Sequence, residues 1–438
     1  MSIDGGGVPH REGRTLMLLP NLPEESQGPG AKASGKVFYN PAMAGSRTRS
    51  VLLFRHAMDE GMLGDGTVYA LDGLTASGLR ARRWLNELSS ERSSRISATM
   101  VDLDGSALEW AEASHREFPP SNGGGSLEST KGDLRVAVLS SGRHWVDIDP
   151  YGSPIPFIDS AMQSMARSGV MEVSATDTAA LTGSSRTALM RRYGARVRTD
   201  SLSHDSGMRV MLATFSRVAA RHDRSIVPLV SVWDSHHLRV SFRVLKGVSA
   251  ANELEDNIGW RVHSPTREEV LASIGSGLHH GSDIEQLPMH CMLPLEFPLD
   301  RSDPRVSGPL WVGPTGDKGA MSSMTEERAL ESCGPEFTID DPLGWDERRF
   351  EAERRKVIRS VRHISEESEV ISASHLIVVD DLAAWLGTGA PPSPRKIVGT
   401  LREAGHPAGV SSYGRPSFRT GAPWESIVEA AMSIQPPM

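Results

Sequence analysis

The chain has 438 residues, of which 38% are hydrophobic and 23% charged, with a formal net charge of −8 and two cysteines, Cys291 and Cys333. That length exceeds what one hydrophobic core usually organises, so two domains are expected, and no apolar run is long enough to span a bilayer. The acidic balance argues against a protein coated in nucleic acid, although a local basic patch can serve on an acidic chain; two cysteines exclude a disulfide framework, and the N-terminus lacks a secretory build, so a reducing, cytoplasmic setting is expected with no membrane and no obligate protein partner evident.

Residues 1–35 are rich in Gly, Pro and Ser and are expected to form a loosely ordered arm with no chemistry of its own. From residue 36 to 246 strand-like and helix-like segments alternate, the order of a mostly parallel sheet covered by helices. Strands are predicted at 67–71, 96–101, 144–148 and 170–175, with helical patterns at 74–88, 105–117 and 156–167, and the polar, Gly-rich stretch 121–126 is a surface loop. Two β-branched runs at 225–234 and 238–246, separated by a short polar turn, read as a closing antiparallel hairpin. The fold class is therefore α/β, a Rossmann-like domain at 36–246, followed by a C-terminal α+β domain at 247–438. Within the latter, 250–345 is loop-rich, 346–368 is a charged helix with a solvated face, and helical patterns at 379–387 and 394–404 precede a Gly-rich turn and a strand at 416–420 in a layout that resembles a winged helix.

Two clusters carry chemistry. The strand at 67–71 ends in Asp72-Gly-Leu-Thr-Ala-Ser-Gly-Leu-Arg80, and the next ends in Asp102, thirty residues after Asp72. Adenosyl and dinucleotide cofactors sit at such strand ends, with a close-approaching loop and an acid that accepts ribose hydroxyls. A tight turn that needs glycine is the plain alternative, and Asp104 next door can be a helix cap. The second cluster, His144-Trp-Val-Asp-Ile-Asp149-Pro-Tyr-Gly-Ser-Pro154, delivers a carboxylate, a proline and an aromatic to a strand end. Methylating a planar exocyclic amine requires its delocalised lone pair to be localised. A carboxylate at Asp149 and the carbonyl of Pro150, accepting the two amine hydrogens, suit that task, and Tyr151 can stack on a base. A structural turn with a capping acid is the alternative, and the conjunction with the first cluster weighs against it.

Read in order, Val37-Phe-Tyr-Asn-Pro41, Ser46-Arg47-Thr-Arg-Ser50, Asp72 to Arg80, Asp147 to Pro154, Ala175-Thr-Asp-Thr-Ala179, Tyr193-Gly-Ala-Arg196, Gly308-Pro-Leu-Trp-Val-Gly-Pro314 and Thr420-Gly-Ala-Pro423 resemble the tRNA (guanine-26-N2) dimethyltransferase family, from Val37 to Pro423. The resemblance implies S-adenosylmethionine as cofactor, contacted by Arg47, Arg80, Asp102, Asp133 and Leu134, with Asp149 as the catalytic acid. It implies a tRNA substrate, with Phe38, Tyr39, Asn40, Pro150, Tyr151, Thr176 and Asp177 on the substrate side, and Arg47 anchoring the methionine carboxylate by paired hydrogen bonds. Dimethylation of guanine N2 at or near position 26 is the implied reaction; methylation of another amine on DNA, protein or a small molecule, or a silent RNA-binding protein, are the rival readings. Arg191-Arg-Tyr-Gly-Ala-Arg-Val-Arg198 is either a patch for tRNA phosphates or a solvated charge run.

The chain departs from the family at several places. Many members carry cysteine pairs resembling a zinc site in the second domain, whereas His290-Cys291 here has no cysteine partners and Cys333 is isolated, so no zinc is expected. Ser46 and Thr48 flank Arg47 where Asn and Asp are usual, Tyr151 stands where Phe is common, and Ser411-Ser-Tyr413 replaces an Arg-Thr-His-like stretch.

Overall fold

A computed structural model describes residues 6–21, 37–121, 123–234, 237–279 and 285–434. Residues 1–5 and 22–35 of the expected arm, Asn122 of the surface loop and the turn at 235–236 lie outside them.

Helices alternate with strands because short apolar runs alternate with 3.6-residue patterns. The strands are β1 Val8–Glu12, β2 Thr15–Leu19, β3 Val68–Gly73, β4 Ile96–Asp102, β5 Ser126–Lys131, β6 Arg143–Ile148, β7 Met165–Ala175, β8 Arg224–Asp234, β9 His237–Lys246, β10 Ile258–His263, β11 His290–Pro294, β12 Val306–Trp311, β13 His375–Val378, β14 Ala408–Val410 and β15 Ser417–Thr420. The largest sheet has the order β5-β4-β3-β6-β7-β9-β8. Its first five strands are parallel. Strands β8 and β9 are neighbours joined by two residues, a link too short for anything but an antiparallel hairpin. The order reverses between β3 and β6, the switch point at whose carboxyl ends α/β sheets bind ligands. Strand β5, which the sequence pattern does not predict, is a polar edge strand with mostly exposed side chains, so it lacks the apolar alternation that reveals a strand.

The chain divides into two compact units: residues 1–174, 243–246 and 323–362, and residues 175–242, 247–322 and 363–438. The division does not fall at residue 246, the boundary that the sequence pattern suggests. In the first unit, helix α1 (Ala44–Asp59) is buried on nearly all sides, so it needs a cover. The segment 323–362 supplies it: Arg55 donates to Glu331 at 2.7 Å and Arg49 to the Ser360 carbonyl at 2.8 Å. Phe54 of α1 meets Trp145 of β6 at 4.3 Å between ring centroids and Trp84 of α2 (Leu79–Glu87) at 5.5 Å, the aromatic heart of this unit's core.

The N-terminal segment corrects the expectation of a loosely ordered arm. Residues 8–19 form a five-pair antiparallel hairpin turning at Gly13, whose φ of 59° is left-handed and whose added Cβ would lie 2.6 Å from Glu87 Oε1. Thr15, Met17 and Leu19 alternate inward, and Met17 and Leu19 pack with Leu79. The Gly, Pro and Ser content that suggests disorder belongs to the flanking stretches.

In the second unit, two three-stranded antiparallel sheets, β11-β10-β12 and β13-β15-β14, accompany the 19-residue helix Ser203–Arg221. The last sheet, with helices Val379–Leu386, Pro394–Glu403 and Trp424–Ile434 around Phe418, Leu401 and Ile427, has the winged-helix-like element order read from the sequence.

Candidate active site

At the end of β3 the chain enters a tight loop in which Leu74, Ala76 and Gly78 all have positive φ. The loop is held by its own polar groups: Asp72 Oδ2 accepts from the Thr75 hydroxyl at 2.6 Å and the Ala81 amide at 3.2 Å, and the Ala76 amide donates to Asp102 Oδ2 at 2.9 Å. Gly73 is required by close approach, since an added Cβ would stand 2.7 Å from a Leu134 methyl and 2.8 Å from the Asp147 carbonyl. Asp102 ends β4 with each oxygen accepting one backbone amide, from Ala76 and from Asp104 at 2.9 Å, which leaves outward lone pairs for ribose hydroxyls. Asp104 caps the following helix through the Ser106 amide. Leu103, next to Asp102 in the chain, is 64% exposed, and Val136, on the short helix Leu134–Ala137, is 73% exposed.

Asp133 caps the short helix Leu134–Ala137 and is paired with the Arg135 guanidinium, whose hydrogen bonds hold its carboxyl down at about 2. The carboxylate expected to contact the cofactor is thus engaged by Arg135, while Leu134 packs against Gly73.

Arg80, on the first turn of α2, spans the ends of β6. Its Nε lies 3.0 Å from Asp147 Oδ2 and its Nη2 donates to Asp149 Oδ2 at 2.7 Å. Asp147 is fully buried and in register with Asp72 across β3 and β6, so a third carboxylate lies beside the pair that Arg80 holds. Burial, followed by the repulsion of Asp147, pushes Asp72 up to about 7 against the pull of Arg80. Nη1 of Arg80 is buried and makes no hydrogen bond among the described residues. That orphan donor, the Gly73 approach and the ribose-competent Asp102 together fit an adenosyl cofactor carrying an anionic tail.

Arg47 is placed differently from the expectation. Its fork donates to Glu12 of β1, Nε to Oε1 at 2.7 Å and Nη2 to Oε2 at 2.5 Å, with Nη2 also reaching the Asn40 carbonyl at 3.0 Å. The paired bonds expected for the methionine carboxylate go to a carboxylate of the chain itself. Burial pushes Glu12 up, but the charge and hydrogen bonds of Arg47 and the charge of Arg83 outweigh it and hold the carboxyl down at about 2.

Among the residues expected on the substrate side, Phe38 and Tyr151 come together edge to face with centroids 5.0 Å apart, and Tyr151 is 75% exposed beside Asp149 and the buried Pro150. Tyr39 turns toward β1, and Asn40 caps a short helical turn by accepting the Ala42 amide, a structural task. Thr176 and Asp177 lie in the second unit, where Asp177 accepts from Tyr193 Oη at 3.0 Å and Arg192 Nη1 at 3.0 Å. Of the basic run there, Arg191 is exposed, while Arg196 and Arg198 reach backbone carbonyls of Arg301 and Pro304. Sequence reasoning gives no role to Asp147 or Glu12. Asp147 is detectable, because residues two apart on a strand share a face with Asp149; Glu12 carries no local signal.

Among the described residues no three His, Cys, Asp or Glu side chains gather as a metal site, Cys291 and Cys333 are buried and form no disulfide, and no helix is long and apolar enough to cross a membrane.

The strand order with its switch point at β3 and β6, the loop after β3 and the acid ending β4 define a Rossmann-like methyltransferase. A solved structure of Trm1 from Pyrococcus horikoshii in complex with S-adenosyl-L-methionine has the same fold, with a TM-score of 0.72 over 97% of this chain and 99% of that one at 22% identity. The family model described as N2,N2-dimethylguanosine tRNA methyltransferase matches residues 22–432, and the chain belongs to that family. It is 28% identical to the tRNA (guanine(26)-N(2))-dimethyltransferase of Thermococcus kodakarensis over 97% of this chain and 98% of the relative. To the enzyme of that description from Pyrobaculum neutrophilum it is 31% identical, over 76% of this chain and 84% of the relative.

Proposed function

We infer that this chain transfers methyl groups from S-adenosylmethionine to N2 of the guanine at position 26 of tRNA, in two successive steps that give N2,N2-dimethylguanosine. The observation that supports it most directly is the place of Asp149: at the carboxyl end of β6, beside the switch point, aimed by Arg80 and next to an exposed aromatic. Bound S-adenosylmethionine supplies an electrophilic methyl group. Asp102 receives the ribose hydroxyls, and Arg80 Nη1 offers a donor to an anionic group. The guanine, flipped from its stack, lies against Tyr151 with Phe38 closing one side. The Asp149 carboxylate and the Pro150 carbonyl accept the two hydrogens of the exocyclic amine, localising its lone pair toward the methyl. As the N–C bond forms and the S–C bond breaks, Asp149 takes the proton and later releases it to water. For the second transfer the N-methyl group rotates away and the remaining hydrogen faces Asp149.

The second unit, with its exposed Arg191 and Arg192, supplies contacts to tRNA phosphates in this reading. Two cysteines free of any disulfide suit the cytoplasm, where tRNA is matured. Mass spectrometry of nucleosides after reaction with unmodified tRNA tests the assignment. N2-methylated and N2,N2-dimethylated guanosine at position 26 are expected, and methyl groups found only on adenine, cytosine or protein would overturn it.

A further inference from the structure

Glu12 lies 2% exposed in the first unit, and four donors converge on its carboxylate: Arg47 through Nε and Nη2, Arg83 Nη1 at 3.0 Å and Tyr39 Oη at 3.0 Å. The hairpin that carries it has anchors besides this cluster. Its two strands pair over five residues, and its turn is pinned elsewhere, by the Gly13 amide on Glu353 at 2.9 Å and the Arg14 amide on Glu87 at 3.1 Å. Arg83 is separately neutralised by Glu87, with Nη2 to Oε2 at 2.7 Å. The distinctive hold of Glu12 is therefore on Tyr39, in the segment leading into α1, and on Arg47, in the first turn of α1. Tyr39 is clamped there on several sides: its hydroxyl lies 3.0 Å from both Glu12 Oε2 and His10 Nε2, the His10 ring meets it edge-on at 5.1 Å, and the Arg47 guanidinium lies 5.4 Å over its ring. The residue before it, Phe38, meets Tyr151.

We propose that Glu12 is a positioning residue for base capture: by holding Tyr39 and Arg47 it fixes Phe38 against Tyr151, so that the aromatic corner receiving the guanine is formed before tRNA arrives. A buried carboxylate bound to two groups of one short segment leaves that segment a single arrangement, and a rigid corner avoids ordering a loop at the moment of binding. The proposal rests on the reading of Tyr151 and Phe38 as the walls around the base.

A double-mutant cycle on the full-length protein tests it. Tyr39→Phe removes the hydroxyl and keeps the ring, Phe38→Leu removes the aromatic edge, and the pair is made together. Initial rates on unmodified tRNA give kcat and KM, and calorimetry with S-adenosylhomocysteine reads the cofactor site. Tyr39→Phe is expected to lower kcat/KM for tRNA roughly tenfold with cofactor affinity within about twofold, and to add less than about twofold once Phe38 is Leu. Glu12→Gln, which keeps shape and loses charge, is expected to show the same dependence on Phe38, with rates recovering in part in Glu12→Asp. Equal losses in both backgrounds, unchanged rates, or a loss that only follows cofactor affinity would overturn the role of Glu12. Failure of the guanine-methylation reading is separately visible, since the wild-type protein would then form no N2-methylated guanosine in tRNA, and the proposal would fall with it.

Discussion

Arg80 holds Asp149 at 2.7 Å and Asp147 at 3.0 Å with two nitrogens of one guanidinium, so the proposed proton acceptor and a fully buried carboxylate are tied to the same cation. Asp149 is thereby held by a residue on α2, which places the acceptor before substrate binds.

Replacing Asp149 by Asn keeps the shape and a hydrogen bond to Arg80 but removes the carboxylate that takes the amine proton. Single-turnover methyl transfer should fall by about 10²- to 10⁴-fold, while affinity for S-adenosylhomocysteine changes little. A variant retaining more than about a tenth of the wild-type rate would show that Asp149 is not the proton acceptor.

Asp72 is expected to make stability depend on pH. Its folded value of about 7 lies above the ordinary carboxylate value, so the folded chain binds this proton more tightly than the unfolded one. Its contribution to stability is full below about pH 4 and is lost as pH rises to about 7. Melting temperatures of wild type and Asp72→Asn across pH 4 to 8 should show this decline in the wild type alone, after allowance for groups common to both. Parallel curves would contradict the placement of Asp72 beside Asp147.

Adding one methyl at Gly73 drives a Cβ to 2.8 Å from the Asp147 carbonyl and 2.7 Å from Leu134. Leu134 can shift, but the backbone of a central strand cannot, so Gly73→Ala should cost about 1–3 kcal/mol of stability and weaken cofactor binding. Chemical denaturation together with calorimetry reads both effects, and a fully stable, tightly binding variant would show that β3 and β6 are less closely apposed at this point.

Charge removal at Arg191 and Arg192 should weaken tRNA binding and flatten its dependence on salt. With about one counterion released per phosphate contact, the double alanine variant should reduce the slope of log K against log salt by roughly 1.5–2. An unchanged slope would assign the run to a solvated surface; part of the loss at Arg192 also reflects its pair with Asp177.

Sequence alone determined the elements whose burial repeats locally. The alternating strands, the loop from Asp72 to Arg80 and the strand-end acids Asp102 and Asp149 are readable because a strand buried on both faces and a ligand-facing turn constrain neighbouring residues directly. The edge strand β5 and the sheet β11-β10-β12 are not, since short strands with exposed or interrupted faces carry little periodic signal. Only the tertiary structure decided which charges meet. Glu12 is 35 residues from Arg47 and 71 from Arg83, Asp149 is 69 from Arg80, and Gly13 is 340 from Glu353. A carboxylate and a guanidinium attract at whatever chain separation the fold imposes, so nothing in the local sequence marks one surface-type residue as the buried partner of another. For that reason the motif around Arg47 points to the methionine carboxylate, while the carboxylate it actually grips sits on a hairpin inside a segment whose composition suggests an arm without chemistry.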